Sequence, residues 1–253
     1  PLSNRADIFF FADGPTLTAT GTAGGGFDAT GRSGVASGGT VLAQARSGGT
    51  IAVVTDLLLN AMGSANVGGG AWISSRTGGG ITLLSQNGGL ISAGNQIVAD
   101  ASIGVSLGAG IITARSDSAT GGTISITTDG GALTTPTLGA LAHATTPNST
   151  GPVALARGGT ITIQSLNSGT MNVDVALTAD TSALGGSGPV GGAALGGTVN
   201  LIADGGALIF DGSAFLSANA RGGISTLAGS PGAAQASGGR VNIRSTATTG
   251  SQM

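Results

Sequence analysis

The chain contains one histidine, His143, and its neighbourhood is where the sequence comes nearest to chemistry. Counting from the Gly-Gly pairs that begin at Gly38, Gly78, Gly121 and Gly158, the residues Asn60, Asp100, His143 and Asp180 each fall 22 positions on, and Asn219 falls 23 after Gly196. If the segments after those pairs are stacked copies of one unit, these five side chains form a single outward column. His143 then stands between Asp100 and Asp180, about 5 Å from each. Two flanking carboxylates would favour the imidazolium and raise its pKa, and with the ring neutral the trio could hold a divalent metal weakly. The plainer account is a solvated polar face, because the fold asks only for polarity at that position. No catalytic residue and no cofactor is expected.

The remaining chemistries are fainter. A calcium-binding repeat needs Gly-Gly-x-Gly-x-Asp in tandem, and only fragments such as Gly25-Gly26-Phe27-Asp28 occur, so Asp-Gly pairs read as turn formers. Lysine is absent, which excludes a P-loop. A nucleophile elbow needs a strand-to-helix turn, and no helix is predicted. A glycosidase pair of aspartates is conceivable, but charged residues are 8% of the chain and the acids fall mainly in turns. Trp72 could stack on a sugar or cover an apolar corner. The sequon Asn148-Ser149-Thr150 matters only in a host that glycosylates such sites. Outward Thr123, Ser125, Thr160, Thr162, Thr198 and Asn200 make a polar surface ladder that could meet ice or a glycan. Threonine is also simply the favoured polar residue of an exposed strand.

All of these depend on a repeat to position them. Gly-Gly pairs at 38, 78, 121, 158, 196 and 238 are spaced by 40, 43, 37, 38 and 42 residues. Each is followed by an alternating strand such as Thr160-Ile161-Thr162-Ile163, with Val, Ile or Leu inward. Turn residues follow (Ser47-Gly48-Gly49, Asn87-Gly88-Gly89, Asp129-Gly130-Gly131, Asn167-Ser168-Gly169, Asp204-Gly205-Gly206), then a second and a third apolar run. One such unit cannot enclose a core, whereas stacked units can. The pattern predicts an all-β fold: a parallel β-helix, or solenoid, of about six coils with three short strands per coil. Long Gly/Ala/Ser-rich loops at 63–77, 102–120, 145–157, 182–195 and 221–237 would stack at one corner outside the coil, flexible unless neighbouring loops order one another. Residues 1–253 read as a single domain, a segment of a longer protein or a subunit that stacks end to end.

Composition supports this and excludes other classes. Fifty glycines and 3% aromatics point to turns and a narrow aliphatic core, and the 40% hydrophobic content in register argues against disorder. A net charge of −2 with scattered arginines offers no basic face for nucleic acid. No apolar run is long enough for a membrane helix, and no signal peptide is visible. Absence of cysteine suits an extracellular bacterial solenoid.

Motifs such as Gly-Gly-Thr-Ile-Thr-Ile at 158–163 and Ala-Asp-Gly-Gly-Ala-Leu at 203–208, separated by Gly/Ala/Ser loops, resemble the repeat regions of large bacterial exoproteins of the filamentous-haemagglutinin type, secreted by two-partner or autotransporter routes. The resemblance implies a right-handed β-helical stem, secreted or on the bacterial surface, with adhesive or biofilm roles. Its partners would be host or matrix surfaces, glycans among them, or further copies end to end. The expectation is a structural or adhesive stem and no enzyme. The alternatives are a self-assembling filament subunit, a β-helix carbohydrate-active enzyme, or an ice- or glycan-binding module.

Overall fold

The computed structural model describes residues 7–13, 16–19, 23–24, 27–30, 35–66, 75–106, 118–146, 155–226 and 234–246. Over these residues the chain is an all-β parallel β-solenoid without a helix. Trp72 and Asn148-Ser149-Thr150 lie outside the described residues.

The alternating segments after the Gly-Gly pairs build the first sheet. Thr40–Arg46, Gly80–Gln86, Thr123–Asp129, Thr160–Leu166, Thr198–Asp204 and Arg240–Thr246 stack in sequence order, preceded by Asp7–Asp13. Register is strict, so identical positions form columns. One inward column runs Val41, Ile81, Ile124, Ile161, Val199, and the next runs Ala43, Leu83, Ile126, Ile163, Leu201. All are at most 4% exposed, which is what alternation required of Val41, Leu83, Ile124, Ile126, Ile161, Ile163, Val199 and Leu201. The rung Asp7–Asp13 pairs with Thr40–Arg46 residue by residue. It escapes a count made from Gly-Gly pairs because no such pair precedes it.

The turns that follow use the expected residues. Ser47-Gly48 and Asn87-Gly88 both have positive φ, as does Asn167-Ser168, and Gly49, Gly89 and Gly169 close them by donating to Arg46, Gln86 and Leu166 carbonyls at 2.7–3.0 Å. Beneath the turns, Ser85 and Ser165 are buried and donate to the Gly89 and Gly169 carbonyls at 2.6 and 2.7 Å, so the inward hydroxyls are satisfied.

Beyond the turns the three-strand reading needs correction. The second and third apolar runs of a unit, such as Thr50–Val53 with Asp56–Asn60, belong to one second sheet. The segments read as flexible loops begin and end in strands of their own. Gly63–Asn66, Ile103–Ser106, Ala144–Thr145, Ala183–Leu184 and Ala220–Arg221 stack into a third sheet, and Ser75–Thr77, Ser118–Thr120, Ala156–Arg157, Ala194–Leu195 and Ala236–Ser237 into a fourth. Between these lies a second small core of Ile103, Ala119, Ala144, Ala156, Ala183 and Ala194, separate from the aliphatic core between the first two sheets. Each alanine buries little alone, and so such segments read as loops; a column of them in register is a wall.

The two cores are divided by a waist, and the waist explains the Gly-Gly pairs. In five of the six pairs the second glycine donates its N–H across the coil to the end of the second sheet: Gly79 to the Ala61 carbonyl, Gly122 to Ala101, Gly159 to Ala142, Gly197 to Thr181 and Gly239 to Ala218, at 2.7–2.9 Å. The backbones meet so closely that a Cβ on Gly159 would sit 2.1 Å from the Gly122 carbonyl oxygen, and one on Gly158 would sit 1.8 Å from that of Thr181. Only glycine fits.

Two substitutions test this architecture. Ile161→Asp places an unpaired charge in the fully buried column and should cost several kcal/mol in denaturant unfolding. Gly159→Ala adds one methyl but must push neighbouring backbones apart, with an expected loss of about 3 kcal/mol. Parent-like stability in either variant would contradict the inward column or the waist respectively.

Candidate functional site

The polar residues picked out by counting lie at the end of the second sheet, where the chain leaves the waist for the third. Asn60, Asp100 and Asp180 do share a register column, but it continues through Gly24, Leu141 and Ser217 and not through His143 or Asn219. His143 and Asn219 stand two residues further on, in the row of Ser102 and Ser182, as the bonds from Ile103 to the His143 carbonyl and from Ala183 to the Asn219 carbonyl fix. The single five-residue ladder is therefore corrected to two adjacent columns. The cause is two one-residue deletions in the coil that carries His143. Its turn holds only Gly130-Gly131 between strands where the preceding coil has Asn87-Gly88-Gly89, and it runs straight through Pro136, where register with the next coil shifts by one.

The first column has a structural job. Asn60, Asp100 and Asp180 each accept the backbone N–H two residues on, from Met62, Ser102 and Ser182, at 2.9 Å in every case. This is an Asx turn repeated at one corner. Leu141 cannot make it, and the His143 N–H instead donates to Ser102 Oγ of the preceding coil at 3.2 Å.

His143 nevertheless meets one of its two expected partners. Its Nδ1 lies 3.5 Å from Asp180 Oδ2, with side chains 38% and 24% exposed. The Ser182 hydroxyl donates to Asp180 Oδ1 and also contacts Ser217 Oγ at 2.9 Å. The facing Asp180 carboxylate raises the His143 pKa above its ordinary value against the opposing effect of burial, with Asp100 adding a smaller push from further off. Burial resists ionisation of Asp180, but the bonds from His143 and Ser182 overcome it and hold the carboxyl down at about 2. Asp100 is tied to Ser102 and is not drawn to the ring. Among the described residues no three His, Asp or Glu side chains converge as metal ligands, so the trio Asp100, His143 and Asp180 is a pair with a distant neighbour.

Beside this pair an open furrow of about 310 Å³ crosses three strands of the third sheet. One wall is the row His143, Ser182, Asn219, and the other is Thr145, Leu184, Arg221; Ala144, Ala183 and Ala220 lie between them. Ala144 and Ala183 are buried and contribute to the second core, so the floor between the walls is low. Nothing in the sequence pattern marked Thr145, Leu184 or Arg221, because the segments that hold them read as loops.

The other outward candidates lie in two columns of the first sheet. Thr123, Thr160 and Thr198 form one column of the first sheet, and Ser125, Thr162 and Asn200 another. In the second, Asn200 donates to Thr162 at 3.3 Å and accepts from Asn242 at 2.7 Å. Asp56 and Asp129 accept amide hydrogens from Asn95 and Asn167 of the next coil at 2.7 and 2.6 Å, so these aspartates fasten coils. Arg76 is fully buried in the inward column where Ala119, Ala156 and Ala194 follow, a buried cation that scattered arginines in the sequence did not foretell.

Fold and site together define a parallel β-solenoid with a polar corner and a furrow beside it. No family model, no curated protein and no solved structure matches the chain.

The pair sets a pH dependence. His143 has a folded pKa above its ordinary 6.5, so its contribution is full below 6.5 and is lost as pH rises through the raised value. Asp180 is lowered from 3.8 to about 2, so its contribution is full above 3.8 and is lost as pH falls through about 2. The pair thus stabilises most between these limits, by about 0.2–1 kcal/mol for a pair so exposed. In NMR titrations Asp180→Asn should return the His143 pKa toward 6.5 and Asp100→Asn should move it less. The reverse order would contradict the two-column register.

Proposed function

We propose that the chain is a structural and adhesive stem of an exported bacterial surface or matrix protein. The carrying observation is the unbroken in-register stacking of the first sheet from Asp7–Asp13 to Arg240–Thr246. Such a ladder lengthens by adding like units and resists unfolding through interfaces that repeat along its axis. In this reading the solenoid winds right-handed in about six coils opened by Gly-Gly pairs and forms one domain within a longer secreted or surface-bound protein. The turns and corner that hold the aspartates serve coil stacking, which favours a stem over an enzyme. No helix among the described residues is long and apolar enough to cross a membrane. Host or matrix surfaces are the partners, with glycans among them, and the third and fourth sheets form the flank that meets them.

Beads coated with purified protein test the reading. They should be retained on matrix polysaccharide or cell surfaces above albumin-coated controls, and the soluble protein should release no reducing ends from a polysaccharide panel. Release of reducing ends would replace the stem with an enzyme, and intact protein without retention on any surface would remove the adhesive role.

A further inference from the structure

We propose that the furrow across the third sheet binds a carboxylate carried on a small hydroxylated molecule, either a free sugar acid or an acidic sugar residue within a glycan. The argument starts from which polar groups in the furrow are already used. Asp180 has one oxygen taken by Ser182 and faces His143 with the other. Ser182 is engaged with Asp180 and Ser217, and the Asn219 amide donates to Ser217 Oγ at 3.1 Å. The furrow therefore offers a ligand no unoccupied carboxylate.

Apart from the Asn219 amide oxygen, what remains is a set of donors. Nδ1 of His143 is directed to Asp180, and the charged ring carries a second N–H on Nε2. Among the described residues no side-chain partner meets Nε2, the Thr145 hydroxyl or the Arg221 guanidinium. The His143 charge is balanced by Asp180, whereas the exposed Arg221 has no acid beside it among the described residues. A furrow with one uncompensated cation and donors on both walls suits a monoanion rich in acceptors.

Geometry narrows the class. His143 and Arg221 stand two strands apart, about 10 Å along the axis, so a lone small anion cannot touch both. The volume of about 310 Å³ lies at the small end of ligand sites, which run from about 300 Å³ upward, and fits one ring-sized molecule. The guanidinium fork takes a carboxylate two-pronged. Hydroxyl oxygens at the other end can accept from His143 and Thr145, while Leu184, 43% exposed, and the alanine floor meet the C–H face of a ring. This site stands apart from the stem reading, since a soluble ligand can occupy it whatever the rod is attached to.

Because His143 is the only histidine, its ring resonances report the furrow alone. At about pH 6, where the ring is charged, titration with D-galacturonate should give a saturable His143 shift in the millimolar range. D-galactose and acetate should each bind at least tenfold more weakly, the first lacking the charge and the second the hydroxyls. Arg221→Gln should weaken galacturonate at least tenfold, and Leu184→Asp, which adds a like charge to the wall, should abolish it, both with the parent's amide spectrum otherwise retained. A trigalacturonate arm separates the sources: tighter binding than the monomer assigns a residue in a glycan, and equal or weaker binding assigns the free acid. No saturable shift, equal binding of galactose or acetate, or unchanged affinity in Arg221→Gln would overturn the proposal and would leave surface retention by the stem untouched.

Discussion

The rest of this solenoid depends on the close approach of two backbones at the waist of each coil. There the second glycine of a pair hydrogen-bonds the carbonyl at the end of the second sheet, as Gly159 does with Ala142. Burying a backbone N–H and C=O away from water is tolerable only when each finds a partner, and here the partner lies directly across the coil. The bond is short because neither glycine has a Cβ, and it divides the section of the rod into a large aliphatic core and a small alanine core. Sheets three and four are thereby held against the body of the rod with their own small core between them.

That division decides where polar chemistry collects. The chain leaving the waist must turn, and the Asx turn at Asn60, Asp100 and Asp180 supplies an acceptor for the N–H that the turn frees. Carboxylates are thus fixed at one corner for structural reasons. Where the series is interrupted by Leu141, the neighbouring row supplies the histidine, and Asp180 of the next coil faces it. The ion pair follows from the stacking of a defective unit on a regular one. The furrow has the same origin, since outward side chains two residues apart on stacked strands make two walls and the inward alanine between them leaves the gap.

Several features were legible in the sequence by itself, and the reason is periodicity. The alternation in Thr160-Ile161-Thr162-Ile163 determined which side chains face the core, because side chains on a strand point to opposite faces in turn. Turn residues such as Asn87-Gly88 determined where strands end, since few other residues accept positive φ. The recurring pairs determined that units stack, and the polarity of the corner at Asp100 and Asp180 followed from the same count.

The tertiary structure alone decided the rest. Counting assumes coils of equal length, and the one-residue losses at Asp129-Gly130 and at Pro136 moved His143 by two places, because register is set by hydrogen bonds between coils and is indifferent to the number of residues in a turn. Segments such as Ala183–Leu184 and Ala194–Leu195 have no strand signal of their own; they become strands because a like segment lies on the adjacent coil to pair with them. The Gly-Gly pairs were visible as punctuation, but their purpose was not. A residue without a side chain leaves no pattern that names its neighbour, and the neighbour, a carbonyl across the coil, exists only once the chain has closed.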